Sequence, residues 1–312
     1  MSGLIRVVFL GNDAWSVRPL AALADAGPAI DLALAVTRDP RPGRRGAPPV
    51  PTPVAALARE RAIRLLETPT VRSGPGFDGL LAADPDVIAV VAYGELLPAE
   101  VLGAAAIGAV NLHFSLLPRW RGAAPIQRAI LAGDRTTGVT TMLMEEGLDA
   151  GPILEQREEP IRAEDDAGSL GERLSATGAG LLVGSIVGFA DGSITPRPQT
   201  GVPTSAPKIT PDDRPIDWSD SADAIVRRIR ALSPSPGATT IVRGAPVKVL
   251  RAEAFAGRGE PGIIAAVDGE AIEVGARDGS VRLLEVAPAG RRRMSGGDLA
   301  RGSRLGPGER LG

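Results

Sequence analysis

The chain has 312 residues, 44% of them hydrophobic and 23% charged, with a formal net charge of −2. That suits one large or two ordinary globular domains and is too apolar for intrinsic disorder. The absence of cysteine excludes disulfides, Cys-ligated zinc, iron–sulfur clusters and thiol catalysis, and the single histidine, His113, leaves no histidine set for a catalytic metal.

In chain order, residues 4–10 (LIRVVFL) form an apolar run that ends at Gly11 and reads as a buried strand. Residues 17–26 have helical periodicity and stop at Gly27-Pro28. A second strand is expected at 31–37. Residues 38–53 follow, with six prolines and four arginines, and cannot be a regular element. A helix is expected at 54–62. The β-branched run 86–92 suits a strand covered on both faces, and a further strand at 107–113 ends at the histidine. A helix at 123–132, a strand at 138–144 and a long helix at 170–190 complete the first half. The alternation predicts an α/β fold with a largely parallel sheet, which binds ligands at the carboxyl ends of its strands. No glycine-rich dinucleotide or P-loop fingerprint is present. No apolar run reaches the roughly 18 residues of a membrane span. The opening residues do not read as a secretory signal, so the cytoplasm is the expected compartment.

Residues 194–212 are rich in Pro and Thr, without periodicity, and read as a linker. A helix at 220–232 and short strands at 239–242, 247–255, 262–266, 271–274 and 281–286 then predict a small β-barrel. Residues 1–206 carry 18 basic and 23 acidic side chains, whereas residues 207–312 carry 17 and 14. An acidic front and a mildly basic rear suit a rear domain that faces an anion.

Two short segments could carry chemistry. Asn111 and His113 lie two apart at a strand end and therefore share a face. An amide donor and an imidazole on one face can bind a developing oxyanion and move a proton, although a strand-end pair in an ordinary turn has the same spacing. Asp149 sits in EEGLDAGP, in a glycine-rich loop after a strand, where a plain turn residue is the common alternative.

The wording of these segments, N-x-H-x-S-L-L-P-x-x-R-G-A-A-P-I-Q from Asn111 and G-L-D-x-G around Asp149, resembles the folate-dependent formyltransferases. Within them, RWRGAAPIQR, APKIT at 206–210, IDW at 216–218 and the PAGRRRMSGGDL end resemble the group that acts on methionyl-tRNA. The resemblance implies a Rossmann-like formyltransferase domain at 1–206, followed by an OB-like β-barrel at 207–312 that binds tRNA. It implies catalysis by Asn111, His113 and Asp149, and a folate site at Ser115, Leu116, Leu117 and Pro118 with Tyr93, Leu96 and Leu97. It further implies a tRNA-facing loop carrying Arg41, Arg44 and Arg45, with Lys208 as another tRNA contact. The co-substrate expected is 10-formyltetrahydrofolate and the acceptor is charged initiator methionyl-tRNA. No metal, DNA or membrane is expected, and the protein is expected to be a monomer. Two rivals share parts of this pattern: a formyltransferase for an amino-sugar nucleotide or small amine, and a non-catalytic tRNA- or folate-binding protein. The chain departs from the family wording at Trp15, Ala150 and Pro152, and LSPSPG at 232–237 lacks two aromatics.

Overall fold

The β-branched run that ends at Val91 becomes the centre of a seven-stranded sheet. The computed structural model describes residues 4–43, 46–257 and 259–312. The strands are β1 (Ile5–Gly11), β2 (Ile30–Thr37), β3 (Leu65–Glu67), β4 (Val87–Val91), β5 (Gly108–His113), β6 (Thr136–Leu143) and β7 (Ile153–Pro160), in the order β3-β2-β1-β4-β5-β6-β7. β1 to β5 pair in parallel, while β6 and β7 add on antiparallel. Chain order reverses between β1 and β4, the crevice where such sheets bind ligands. β1 and β4 are covered on both faces, and Val7, Val8, Phe9, Leu10, Ile88 and Ala89 are fully buried.

β3 and β7 escape sequence reading for opposite reasons. β3 has only three residues. β7 is an edge strand whose REEP half is charged and mostly exposed, so it lacks the apolar pattern of a buried strand.

The helices are α1 (Val17–Ala24), α2 (Pro53–Glu60), α3 (Gly74–Ala82), α4 (Ala99–Leu102), α5 (Pro125–Ala132), α6 (Ala167–Asp191), α7 (Ala222–Leu232) and α8 (Gly296–Ser303). α2 starts where Thr52 accepts from the Ala55 N–H at 3.0 Å, with proline at the first turn. α3, GPGFDGLLA, is obscured by its glycines. Gly76 is required there, because a Cβ would lie 1.9 Å from the Thr70 carbonyl oxygen. Among the described residues α6 is the one helix long and apolar enough to cross a membrane by length and composition. Half of its apolar window is nevertheless buried inside the protein, where Leu174, Leu182 and Ile186 are fully covered.

The chain divides into two compact units, one of residues 1–125, 136–160 and 171–207 and one of residues 126–135, 161–170 and 208–312. The second unit contains the antiparallel strands β8 (Ala238–Val242), β9 (Ala245–Phe255), β10 (Ile264–Val267), β11 (Ile272–Gly275), β12 (Ser280–Pro288) and β13 (Met294–Ser295). Their order is β10-β11-β12-β9-β8, with β13 on β12. β8 turns into β9 through Arg243 and Gly244, both at positive φ (48° and 78°), as a two-residue hairpin requires. The fold expected from the sequence is α/β, a Rossmann-like domain followed by a small OB-like β-barrel; the α/β class and the Rossmann-like sheet are observed, and the second domain is built on an antiparallel sheet.

Of the stretch 194–212 expected to be a loose linker, residues 197–206 are tied to the first unit. Arg197 bridges Ile153 on β7, Arg121 bridges Ser205, and the Ala206 carbonyl accepts from Ala124 N–H at 3.1 Å. Proline and threonine deny this stretch a periodic pattern without freeing it from the first unit.

Candidate active site

β5 carries Asn111 and His113 to the carboxyl edge of the sheet. Register pairs Asn111 with Val90 on β4 and Met142 on β6, and His113 with Thr140 on β6. Both side chains are buried. The loop after β6 brings Asp149 against them. The Asp149 Oδ1 lies 3.5 Å from the Asn111 Nδ2, and the Oδ2 lies 3.6 Å from the His113 Nδ1. The Oδ2 also accepts from the Gly122 N–H at 2.8 Å. Asp149 adopts φ 48°, in the left-handed region that a non-glycine residue enters only when its surroundings hold it there.

His113 is oriented from its other side. Its Nε2 lies 2.9 Å from the Trp120 carbonyl, which can only accept, so Nε2 carries a hydrogen. Nδ1, facing Asp149, is then the ring atom available for proton transfer. Trp120 is itself left-handed, at φ 63°, and its N–H donates to the Thr204 Oγ1 at 2.9 Å.

The SLLP turn is fixed from within. The Ser115 hydroxyl donates to the Arg119 carbonyl at 2.6 Å, and the Thr140 hydroxyl donates to the Ser115 carbonyl at 2.6 Å. Gln156 Nε2 donates to the Leu117 carbonyl at 2.9 Å. Leu117 is buried with Met142 and Ile153. Leu116 rests on Gly138, where a Cβ would approach it to 2.6 Å. Pro118 is half-buried beside this turn.

Of the Tyr93 loop, Tyr93 and Leu97 are buried and Leu96 is 65% exposed. Burial pushes the Tyr93 phenol well above its ordinary range, and Glu95 adds to this. Asn12, just beyond β1, ties the strand ends together. Its amide donates to the Tyr93 carbonyl, and its Oδ1 accepts from the Thr37 hydroxyl at 3.0 Å and from the Arg38 N–H at 2.9 Å.

The arginine-rich loop leaves this edge between β2 and α2. Arg41 and Val50 exchange backbone hydrogen bonds of 2.9 and 2.8 Å across its neck, with Arg41 exposed. Arg44 and Arg45 lie outside the described residues. Lys208 is exposed and belongs to the second unit. Trp15 packs edge-on to Phe114, with ring centroids 6.0 Å apart, and covers Gly171, where a Cβ would meet the indole at 2.3 Å. In the LDAGP loop, Pro152 offers its carbonyl to the Leu143 N–H at 2.9 Å.

Sequence reading missed Gln199, whose amide donates to the carbonyls of Asp149 and Gly151, both at 2.8 Å. It also missed the Gly122 N–H and the Trp120 carbonyl. Backbone groups leave no signature in a sequence, and Gln199 lies in the stretch read as a linker.

An amide, an imidazole and a carboxylate that meet at a strand end of a Rossmann-like sheet are groups that can bind a developing oxyanion and move a proton. The formyl transferase family model matches residues 5–186, and the formyl transferase C-terminal domain model matches residues 208–304. The chain belongs to the formyl transferase family. It is 42% identical to a methionyl-tRNA formyltransferase of Thermus thermophilus over 308 residues, covering 99% of each chain. It is 44% identical to a methionyl-tRNA formyltransferase of Halorhodospira halophila, covering 97% of this chain and 98% of that one. Solved structures of similar fold include HypX from Aquifex aeolicus in complex with tetrahydrofolic acid, at 22% identity and a TM-score of 0.66. That match covers 97% of this chain and 48% of HypX. WlaRD, a sugar 3N-formyl transferase crystallised in the presence of dTDP and 5-N-formyl-THF, has 16% identity and a TM-score of 0.66, covering 93% of this chain and 99% of that one. These two likenesses speak for the fold alone. Among the described residues no cluster of three or more His, Asp or Glu side chains could hold a metal ion.

Proposed function

We propose that this enzyme transfers the formyl group of 10-formyltetrahydrofolate to the α-amino group of initiator methionyl-tRNA. The observation that carries the reading is the meeting of Asn111, His113 and Asp149 at the carboxyl edge of the sheet in a chain 42% identical, end to end, to a methionyl-tRNA formyltransferase.

In this reaction the acceptor amine attacks the formyl carbon, a C–N bond forms, and charge builds on the formyl oxygen. Asn111 Nδ2 and, when protonated, His113 Nδ1 are the donors for that oxygen. One aimed donor of this kind is worth about 3–4 kcal/mol. Asp149 takes the proton released by the amine, directly or through water, and the proton reaches N10 of the folate as the C–N10 bond breaks. The long Asp149 contacts, 3.5 and 3.6 Å, suit a site whose hydrogen bonds tighten only around the reacting group.

The folate is read onto Ser115, Leu116, Leu117 and Pro118 and the loop of Tyr93, Leu96 and Leu97. The tRNA is read onto Arg41, Arg44, Arg45 and Lys208. We divide the chain into residues 1–206, which hold the catalytic and folate residues and the arginine loop, and residues 207–312, which add RNA affinity. The reading describes a cytoplasmic monomer that has no need of DNA or a membrane. The full-length likeness to enzymes named for methionyl-tRNA favours it over an amino-sugar nucleotide acceptor, and the three polar residues favour it over mere binding. The test is a formylation assay with charged initiator tRNA and 10-formyltetrahydrofolate. Formyl-methionyl-tRNA must accumulate, and transfer to an amino-sugar nucleotide with the tRNA left unmodified would overturn the assignment.

A further inference from the structure

We propose that Gln199 and Thr204 are positioning residues, which hold Asp149 and His113 in working geometry through the strap of residues 197–206; the inference rests on the reading of the site given above. Gln199 spends its whole hydrogen-bonding capacity here. Its Oε1 accepts from the Arg121 Nε at 3.0 Å and Nη2 at 2.6 Å. Its Nε2 donates to the carbonyls of Asp149 and Gly151, each at 2.8 Å. The first of these carbonyls belongs to the residue held at φ 48°, and the second lies two residues on. Gly122, next to Arg121, holds the carboxylate of the same Asp149 at 2.8 Å. Asp149 is therefore gripped at its carbonyl through Gln199 and at its carboxylate through Gly122. Both grips trace back to one short stretch of chain, so the aim of the carboxylate is fixed relative to β5.

Thr204 acts on the other partner. Its hydroxyl accepts from the Trp120 N–H at 2.9 Å, its N–H donates to the Pro118 carbonyl at 3.2 Å, and the Trp120 carbonyl then receives the His113 Nε2 at 2.9 Å. Neither side chain needs to touch substrate. Gln199 acts through its bond to Asp149 and Thr204 acts on His113 through Trp120, and a shift of about 1 Å in a reacting group can cost about a hundredfold in rate.

The test uses the full chain, with kcat and both KM values measured in the formylation assay and a melting curve for each variant. Gln199→Glu keeps an acceptor for Arg121 but turns a carboxylate oxygen toward two carbonyls, whereas Gln199→Leu loses every bond. Both are expected to lower kcat by about a hundredfold, with either KM moving by less than about threefold. Thr204→Val is expected to lower kcat by about tenfold, and Thr204→Ser, which keeps the hydroxyl, to restore it. Should Gln199→Leu fail to fold, Gln199→Glu carries the test. A Gln199→Glu enzyme at full kcat would overturn the proposal, as would a Thr204→Ser enzyme no faster than Thr204→Val. Asp149→Asn separates the two layers. If it keeps kcat within about tenfold, the assignment of Asp149 fails. If it collapses while both Gln199 variants remain at full speed, the positioning proposal alone is wrong.

Discussion

The carboxyl edge of the first sheet and the core of the second unit bury their side chains to opposite ends. At the sheet edge Ser16, Thr37, Asn111, His113, Ser115 and Thr140 are all buried, and each is committed to a backbone or side-chain partner. The core of the second unit is built from Ile225, Ile229, Leu232, Val249, Ile272, Val281, Leu283 and Val286. Buried polar groups cost free energy unless satisfied, and once satisfied they dictate direction. Apolar packing dictates volume and leaves the surface free for charge. The sheet edge is therefore the part of the molecule built to aim atoms, and the second unit is built on apolar packing.

The largest expected effect breaks the aiming. Asn111→Ala or Asp149→Ala should lower kcat by about 10²–10³, with the melting temperature nearly unchanged, in steady-state formylation. A loss confined to KM would move these residues from the chemistry to binding. Ile272→Ala should do the reverse. It removes a fully buried side chain, costing about 2–5 kcal/mol in a urea unfolding titration, and should leave the rate of the chemical step intact.

A smaller effect is expected at Arg128 and Asp213, partly buried partners in the second unit at 2.9 and 3.2 Å. Burial alone would raise the Asp213 pKa, but the Arg128 guanidinium and the Thr210 N–H hold it below the ordinary 3.8. The stability this pair contributes is present above that value and is lost as pH falls through the lowered one. Arg128→Ala should cost about 1–3 kcal/mol at neutral pH, and the difference from wild type should shrink in unfolding titrations below about pH 4. Smallest, neutralising Arg44 and Arg45 should reduce the slope of log tRNA affinity against log salt by about one for each phosphate no longer neutralised. Folate affinity should not change, and equal weakening of both ligands would make the loop structural.

The sequence carried the strands around Phe9, Ile88 and Asn111 because their apolar runs are covered on both faces. It carried Asn111 and His113 because strand alternation alone puts them on one side. β7 was hidden because an edge strand with charged residues looks like a surface loop, and α3 because Gly74 and Gly76 interrupt its pattern. The environment of the site was the least legible part. The Trp120 carbonyl and the Gly122 N–H belong to the backbone, and Gln199 meets Asp149 across fifty positions of sequence. Such partners become visible only when loops are placed in space.

Chemistry at the carboxyl edge of the first sheet, around the only histidine of the chain, is the central claim. The most direct test is single-turnover formylation by His113→Ala, with 10-formyltetrahydrofolate and charged initiator tRNA both saturating. Formyl transfer is expected to slow by about 10³ while both substrates still bind, since no second histidine can take over. Transfer within about tenfold of the wild-type rate would contradict the claim and place the chemistry elsewhere.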